Sequence, residues 1–458
     1  MSKDFVWGVS SSAFQIEGAL AEDGRGLSTW DIYLRIPGKI ANGHTADIAC
    51  DHYHRYKEDV KLMAELGVKA YRFSISWPRI IPDGIGKTNP AGIAFYSNLI
   101  DELLSYGIEP YPTLYHWDLP VNNQFVEDGW LSRKTAEYFA NYAKICFDAF
   151  GDRVKNWITL NESWCSAVLG YGQGVFPPGR TDSEQPYLAA HNFLLAHAMA
   201  VRVFRENGYA GQIGIANNCD WREPLTDSEE DRIAAERALQ FFYGWFSDPL
   251  IFGEYPEMMQ KKLGKRLPRF SADDRKLVTG SVDFLGLNHY TTLYASATEP
   301  KVGGDIGPNG NGGMIADQNV FLSVDPNWKQ NDMFWSIVPW GLRKTLNWIG
   351  KRYHGIPVYV TENGCSVPEP DLESALNDTM RQDFIKSYTA ECLKARDIDK
   401  VDVRGYFCWT MLDTFEWNQG YNRHFGLVRC TPQDLTRIRK GGFFTYQDII
   451  ASNQKSSL

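Results

Sequence analysis

Long apolar runs are missing from this chain. None approaches the roughly 20 residues that a membrane-spanning helix needs, so no membrane partner is expected. Blocks of basic charge are missing as well. The densest is the interrupted Arg437-Ile438-Arg439-Lys440, and 47 Lys and Arg against 56 Asp and Glu leave a formal charge of -9. Without a basic stripe to neutralise phosphates, no nucleic-acid partner is expected. Paired cysteines are absent: the eight (50, 146, 165, 219, 365, 392, 408 and 430) fall singly, with no C-x-x-C pair and no histidine at zinc-ligand spacing. They read as buried thiols, and neither a metal nor a cofactor is expected. Met1-Ser2-Lys3-Asp4 runs straight into Phe5-Val6-Trp7-Gly8 with no charged-then-apolar leader, which predicts a cytoplasmic location. Linkers, internal repeats and low-complexity tracts are also lacking, so nothing marks a second domain.

What is present favours one large fold. A hydrophobic content of 43% against 22% charged residues allows an ample core. Reading for period gives eight short apolar or β-branched segments separated by stretches with helical spacing, the pattern of repeated βα units. They run from Phe5 to Ser12, Ala70 to Trp77, Glu109 to Trp117, Asn156 to Glu162, Gln212 to Asn218, Asp283 to Tyr290, Ile356 to Glu362 and Val403 to Leu412. Eight such units close a barrel, and barrels with inserted loops reach more than about 400 residues as one unit. Residues 1–458 are therefore expected to form a single α/β domain, a (β/α)8 TIM barrel with extended βα loops.

The intervening stretches carry helix signals. After Ser132, a good N-cap, Ala136, Phe139, Ala140, Ala143, Phe147 and Phe150 share one helical face, and Gly151 follows as a stop. From about Pro90, the spacing places Ile93, Tyr96, Ile100, Leu103 and Leu104 on one face before Gly107. The glycine-rich stretch from Val302 to Met314 reads as a surface loop, or as part of the rim around a site.

The chemistry lies at the strand ends. In Val358-Tyr359-Val360-Thr361-Glu362-Asn363-Gly364 an apolar strand runs straight into a carboxylate, which is costly to bury unless it is paired or used. Trp157-Ile158-Thr159-Leu160-Asn161-Glu162 ends the same way two hundred residues earlier. A closed barrel brings such ends face to face. Two facing carboxylates suit hydrolysis of a glycosidic bond, one protonating the leaving oxygen and the other attacking or activating water. Other strand ends are polar or aromatic too: Phe14-Gln15-Ile16-Glu17-Gly18, His116-Trp117-Asp118, Asn288-His289-Tyr290, and Trp409 to Trp417. The second strand offers only Arg72 and Trp77, and the fifth nothing comparable. Several of the 15 Trp, 23 Tyr and 25 Phe sit beside these ends, where flat faces suit sugar rings.

Gln15-Ile16-Glu17-Gly18, Tyr71-Arg72-Phe73-Ser74-Ile75-Ser76-Trp77, His116-Trp117-Asp118-Leu119-Pro120, Thr159-Leu160-Asn161-Glu162, Asn288-His289-Tyr290-Thr291, Thr361-Glu362-Asn363-Gly364 and Phe415-Glu416-Trp417 together resemble retaining β-glycosidases of glycoside hydrolase family 1. The likeness runs from Phe5 to about Asp448. It implies a (β/α)8 barrel and a retaining β-glucosidase, with Glu362 as nucleophile and Glu162 as general acid/base about 5 to 5.5 Å apart. By the same resemblance Gln15, His116, Asn161, Glu416 and Trp417 bind glycone hydroxyls, Trp409 stacks beneath the ring, and Trp117 joins the substrate-binding set. Asn288 helps position the sugar, Tyr290 orients Glu362, Phe425 closes the pocket wall, and Trp335 forms an aglycone platform. Arg72 is expected beside Glu362, keeping it ionised. Trp164, Cys165, Leu169 and Trp221 are candidates for the outer site.

The substrate implied is a terminal β-D-glucosyl residue of an aryl glucoside or short β-linked oligosaccharide. A β-galactosidase or β-fucosidase of the same mechanism, and a non-catalytic sugar-binding barrel, are the alternatives. A metal-dependent barrel would need clustered ligands, and His116 and His289 are too few. Family members acting on 6-phosphosugars carry Ser, with nearby Lys and Tyr, where this chain has Glu416; an anionic Glu416 predicts unphosphorylated substrates. Ser163 departs from the family's usual Pro after the acid/base, which predicts a looser loop or an added hydrogen bond. The sequence leaves oligomeric state open, a homo-oligomer included.

Overall fold

The computed structural model describes residues 5–298 and 314–455, and over them the eight expected segments form a closed barrel of parallel strands. The glycine-rich stretch from 302 to 313 lies outside the described residues. In chain order the barrel strands are Val6–Ser10, Ala70–Ser74, Glu109–Tyr115, Asn156–Asn161, Gln212–Asn218, Phe284–Asn288, Val358–Asn363 and Val403–Trp409. The first strand pairs with the second, Ser10 opposite Arg72, and with the eighth, Val6 opposite Gly405, which closes the ring.

Most expected strands overrun their observed C-terminal ends. The reason is local: there the chain leaves the ladder to aim side chains over the barrel mouth. Trp117 and Glu162 adopt left-handed backbone, with φ +78° and +45°. Gln15 lies on the helical turn Ala13–Ile16, and Trp77 opens another, Trp77–Ile80.

Each strand contributes one residue to an apolar plug inside the barrel, formed by Val6, Ala70, Tyr111, Ile158, Ala216, Phe284, Tyr359 and Phe407. Phe407 and Tyr111 rings lie 5.0 Å apart, and Phe284 meets Tyr359 edge-on at 5.1 Å. Gly8 makes room for this packing, since a Cβ there would fall 2.4 Å from the Phe407 ring. The larger core lies outside, between strands and helices.

The helix Arg133–Phe150 follows the expected pattern. Ser132 Oγ accepts from the Lys134 N–H at 3.3 Å, a cap worth about 1 kcal/mol, and Ala136, Phe139, Ala143, Phe147 and Phe150 are buried. In Pro90–Ser105 the buried face is Phe95, Tyr96, Leu99, Ile100 and Leu103, whereas Leu104 is exposed. The expected stripe is thus rotated toward Phe95 and Leu99.

A feature unforeseen in the sequence is a small sheet above the barrel. Trp221–Pro224 pairs in parallel with Thr292–Ser296, which pairs antiparallel with Phe321–Ser323. It forms part of one wall of the mouth. All eight cysteines are buried and free. Among the described residues no helix is long and apolar enough to cross a membrane.

Candidate active site

Above the apolar plug, the strand ends converge on two buried carboxylates held in different ways. Glu362 sits in the seventh strand with both oxygens engaged. Arg72 Nη1, from the second strand, donates to Oε1 at 2.5 Å, and the Tyr290 hydroxyl donates to Oε2 at 2.7 Å. Gly364 lets this strand end pass the eighth, because a Cβ there would lie 1.7 Å from the Trp409 carbonyl oxygen. Glu162 follows the fourth strand in left-handed backbone, its N–H held by Ala216 O at 2.8 Å. Non-glycine residues occupy that region at a cost on the order of 1 kcal/mol, a strain typical of functional sites. The Glu162 side chain accepts from Asn288 Nδ2 at 2.7 Å and from Cys165 Sγ at 3.0 Å.

One hydrogen-bond network ties these groups together. Arg72 Nη2 donates to Asn161 Oδ1 at 2.6 Å, and Asn288 Nδ2 donates to the same oxygen at 3.0 Å. Thr361 Oγ1 donates to Asn288 Oδ1 at 2.7 Å, so the Asn288 amide is spent on holding Asn161 and Glu162. With its oxygen occupied, Asn161 presents its NH2 to His116 Nε2 at 3.0 Å. That contact assigns the His116 proton to Nδ1, which has no protein partner. Burial, with Arg72 adding to it, holds the His116 ring well below its ordinary pKa, hence neutral.

Burial is also the main force on the carboxylates. It pushes Glu162 up to about 8, with the nearby charge of Glu362 adding to the rise. Glu362 is raised as well, because burial outweighs the opposing pull of Arg72 and the Tyr290 hydroxyl. Arg72 therefore stands where expected but only partly offsets the enclosure of its partner. Glu416, expected as an anion, is subject to the same forces. Burial, reinforced by Glu362, pushes it up to about 8, against the hydrogen bonds from Thr414 and Gln15 at 3.3 Å.

These groups open on a cavity of about 410 Å³. Its wall includes His116, Trp117, Asn161, Glu162, Tyr290, Trp335, Glu362, Trp409, Glu416, Trp417 and Phe425. Gln15, Arg72 and Asn288 lie behind that wall. Gln15 Nε2 reaches Phe415 O at 3.0 Å and thereby braces the Glu416 segment. The Trp117 indole N–H is used on Asn161 O at 3.0 Å, so Trp117 offers the cavity a face rather than a donor. Trp335 packs on Tyr290 at 5.2 Å and on Phe425 at 6.1 Å, at the mouth.

Trp164, Cys165 and Leu169 reach the cavity as expected, but Trp221 does not. Its N–H bonds Glu223 at 2.5 Å within the small sheet, which brings Arg222 and Leu293 to the wall instead. The Ser163 hydroxyl is buried and makes no hydrogen bond to another protein group. Asp118 stays off the cavity, and burial pushes it up to about 7. Asn218, at the end of the fifth strand, lines the cavity, although the sequence pattern marks nothing at that strand end. The consecutive Asn217-Asn218 was the available signal.

Among the described residues, Glu369, Asp413 and His424 have metal-like spacing. Lys440 already pairs with both carboxylates there, its Nζ 2.8 Å from Asp413, so the chain supplies the cation itself.

Comparison with known proteins agrees with this geometry. The family model described as Glycosyl hydrolase family 1 matches residues 1–455. Beta-glucosidase 4 of Oryza sativa subsp. japonica is 48% identical over 433 residues, covering 93% of this chain and 89% of its own length. A rice β-glucosidase crystal structure superposes with a TM-score of 0.92 at 42% identity, covering 97% of each chain. A β-glucosidase from Thermotoga maritima, in complex with glucoimidazole, gives a TM-score of 0.90 at 40% identity over 98% of each chain. The matched barrel and the full-length family model place the chain in glycosyl hydrolase family 1, and it is an O-glycosyl hydrolase.

Proposed function

We propose that the chain, acting as one domain over residues 1–458, is a retaining β-glucosidase that removes terminal non-reducing β-D-glucosyl residues. The observation that carries this reading is the unequal treatment of two carboxylates in one cavity: Glu362 is pinned through both oxygens by Arg72 and Tyr290, while Glu162 is raised to about 8. Groups whose surroundings drive them apart in this way divide into nucleophile and acid. An oxygen of Glu362 forms a bond to the anomeric carbon as the glycosidic C–O bond breaks, and Glu162 gives its proton to the leaving oxygen. Glycosylation removes the negative charge of Glu362, and with it one cause of the raised Glu162 pKa. Glu162 then takes a proton from water as that water displaces Glu362 from the sugar, with net retention.

Neutral His116, with its unpartnered Nδ1, together with Asn161, Glu416 and Trp417, forms the glycone wall in this reading, with Gln15 bracing Glu416 from behind it; Trp409 supplies the stacking face and Trp335 the aglycone platform. The hydrogen-bond partners of Glu416 are Gln15 and Thr414, neither of them a cation, which disfavours a 6-phosphate. The test is kcat/KM for p-nitrophenyl β-glucoside, β-galactoside, β-fucoside and β-glucoside 6-phosphate, with Glu416→Ser as a further arm. The glucoside is expected to lead and the phosphate to be refused. Preference for the phosphate in the unmodified enzyme would overturn the substrate class. No neutral sugar turned over would favour a binding barrel. A cytoplasmic location is proposed with this function.

A further inference from the structure

The mechanism as written makes no use of Cys165. This thiol is buried in the cavity wall three residues after Glu162, at the start of the segment Cys165–Gly172. Its Sγ lies 3.0 Å from Glu162 Oε2, and Asn218 Nδ2, from the fifth strand, donates to Sγ at 3.4 Å. The Asn218 amide hydrogens point at the sulfur, so the thiol proton is left for Oε2. The other oxygen, Oε1, accepts from Asn288, whose amide can only donate there. When Glu162 is protonated, its proton therefore belongs on Oε2, beside Cys165.

The two neighbours differ in what they allow. An amide fixed on Thr361 and Asn161 cannot turn away. A thiol is a weak donor on a single rotatable bond, and it can swing aside so that the Oε2 proton reaches a leaving oxygen, then return when Glu162 is a carboxylate.

We infer that Cys165, oriented by Asn218, is a positioning residue that fixes the plane of the Glu162 carboxyl and tunes its proton exchange. The inference rests on Glu162 being the acid/base. Other charged or titratable groups facing Glu162 are Glu362 from the seventh strand, Arg72 from the second and Tyr290 after the sixth, while Asp220, after the fifth, acts on the Cys165 thiol. None of these changes when Cys165 is replaced. Burial, and then the Glu162 charge, hold the thiol well above its ordinary pKa, so it remains a donor throughout the working range.

The experiment compares the pH profiles of kcat/KM on p-nitrophenyl β-glucoside for the unmodified enzyme, Cys165→Ser and Cys165→Ala, with thermal melts of each. A hydroxyl is the stronger donor and favours the carboxylate, so the basic limb of Cys165→Ser is expected about half a pH unit lower. Cys165→Ala leaves Oε2 without a donor, and its basic limb is expected about half a pH unit higher. Cys165→Ser exchanges one atom, which guards against a failure to fold. A packing role alone would alter the melts or kcat and leave the limb in place; that outcome overturns the inference. Glu162→Ala separates the two failures. If azide rescues it while the limb of the Cys165 variants stays fixed, only the role of Cys165 falls. If azide fails to rescue it, the acid/base assignment falls, and this inference with it.

Discussion

The barrel interior holds two layers built from the same eight strands, and they solve opposite problems. The lower layer takes one residue from each strand, from Val6 to Phe407, and nearly all of its surface is carbon. Arg72, Asn161, Glu162, Asn288 and Glu362 sit above it, in the upper part of the strands or just beyond them, buried but charged or polar. The lower layer gains stability from every contact it makes, because apolar surface leaves water at no electrostatic penalty. The upper layer buys reactivity with stability: its carboxylates are enclosed faster than their partners can compensate, as the raised Glu162 and Glu362 indicate. A barrel strand can thus be read as an apolar base that holds a strained polar tip in place.

Substitutions at the two layers should therefore fail in different assays. The largest effect is expected from Glu362→Gln, which removes the nucleophile: turnover of p-nitrophenyl β-glucoside falls by several orders of magnitude while the circular dichroism spectrum is retained. Glu162→Ala should be selective. Substrates with poor leaving groups lose far more in the first step than dinitrophenyl glucosides, and added azide yields the β-glucosyl azide. Equal loss on both substrate types would contradict the acid role.

In the lower layer, Phe407→Ala leaves a cavity among Tyr111, Phe284 and Tyr359. A loss of about 3–5 kcal/mol in chemical denaturation is expected, with the pH limbs of the surviving enzyme unmoved. The smallest effect has the opposite sign. Glu162 titrates near 8 when folded against 4.5 as an ordinary carboxyl, so from about pH 4.5 to 8 the folded state holds a proton that the unfolded chain has lost. Stability contributed by this group falls as pH rises through that window. Glu162→Gln removes the loss, and its advantage in thermal melts should be near zero at pH 4, grow toward pH 8, and level off above it. A constant offset at all pH values would refute the electrostatic account of the upper layer.

The two layers also differed in how well the sequence announced them. Apolar segments such as Val358-Tyr359-Val360 exist to be buried, and hydrophobic period alone located all eight barrel strands. Their C-terminal ends were harder, because Trp117 and Glu162 leave the ladder through left-handed backbone that no periodicity encodes. Motif likeness picked out the residues that surround the cavity, but not the division of labour among them. Asn288 proves to grip Glu162 from behind the wall, and Gln15 braces the segment of Glu416. The small sheet that carries Arg222 was invisible, since Trp221–Pro224 and Phe321–Ser323 are too short and mixed to show a period of two. The sequence marks Cys165 only as a candidate for the outer site, because its meeting with Glu162 and Asn218 exists only in three dimensions.

The claim on which everything else depends is that Glu362 becomes covalently attached to the sugar. Incubation with a 2-deoxy-2-fluoro β-glucoside bearing a dinitrophenyl leaving group, followed by proteolysis and mass spectrometry, measures it directly. One fluoroglucosyl group per chain, mapped to the peptide holding Thr361-Glu362-Asn363 and lost in Glu362→Gln, is the predicted result. A label on any other residue, or rapid turnover to an inverted sugar with no label, would contradict it.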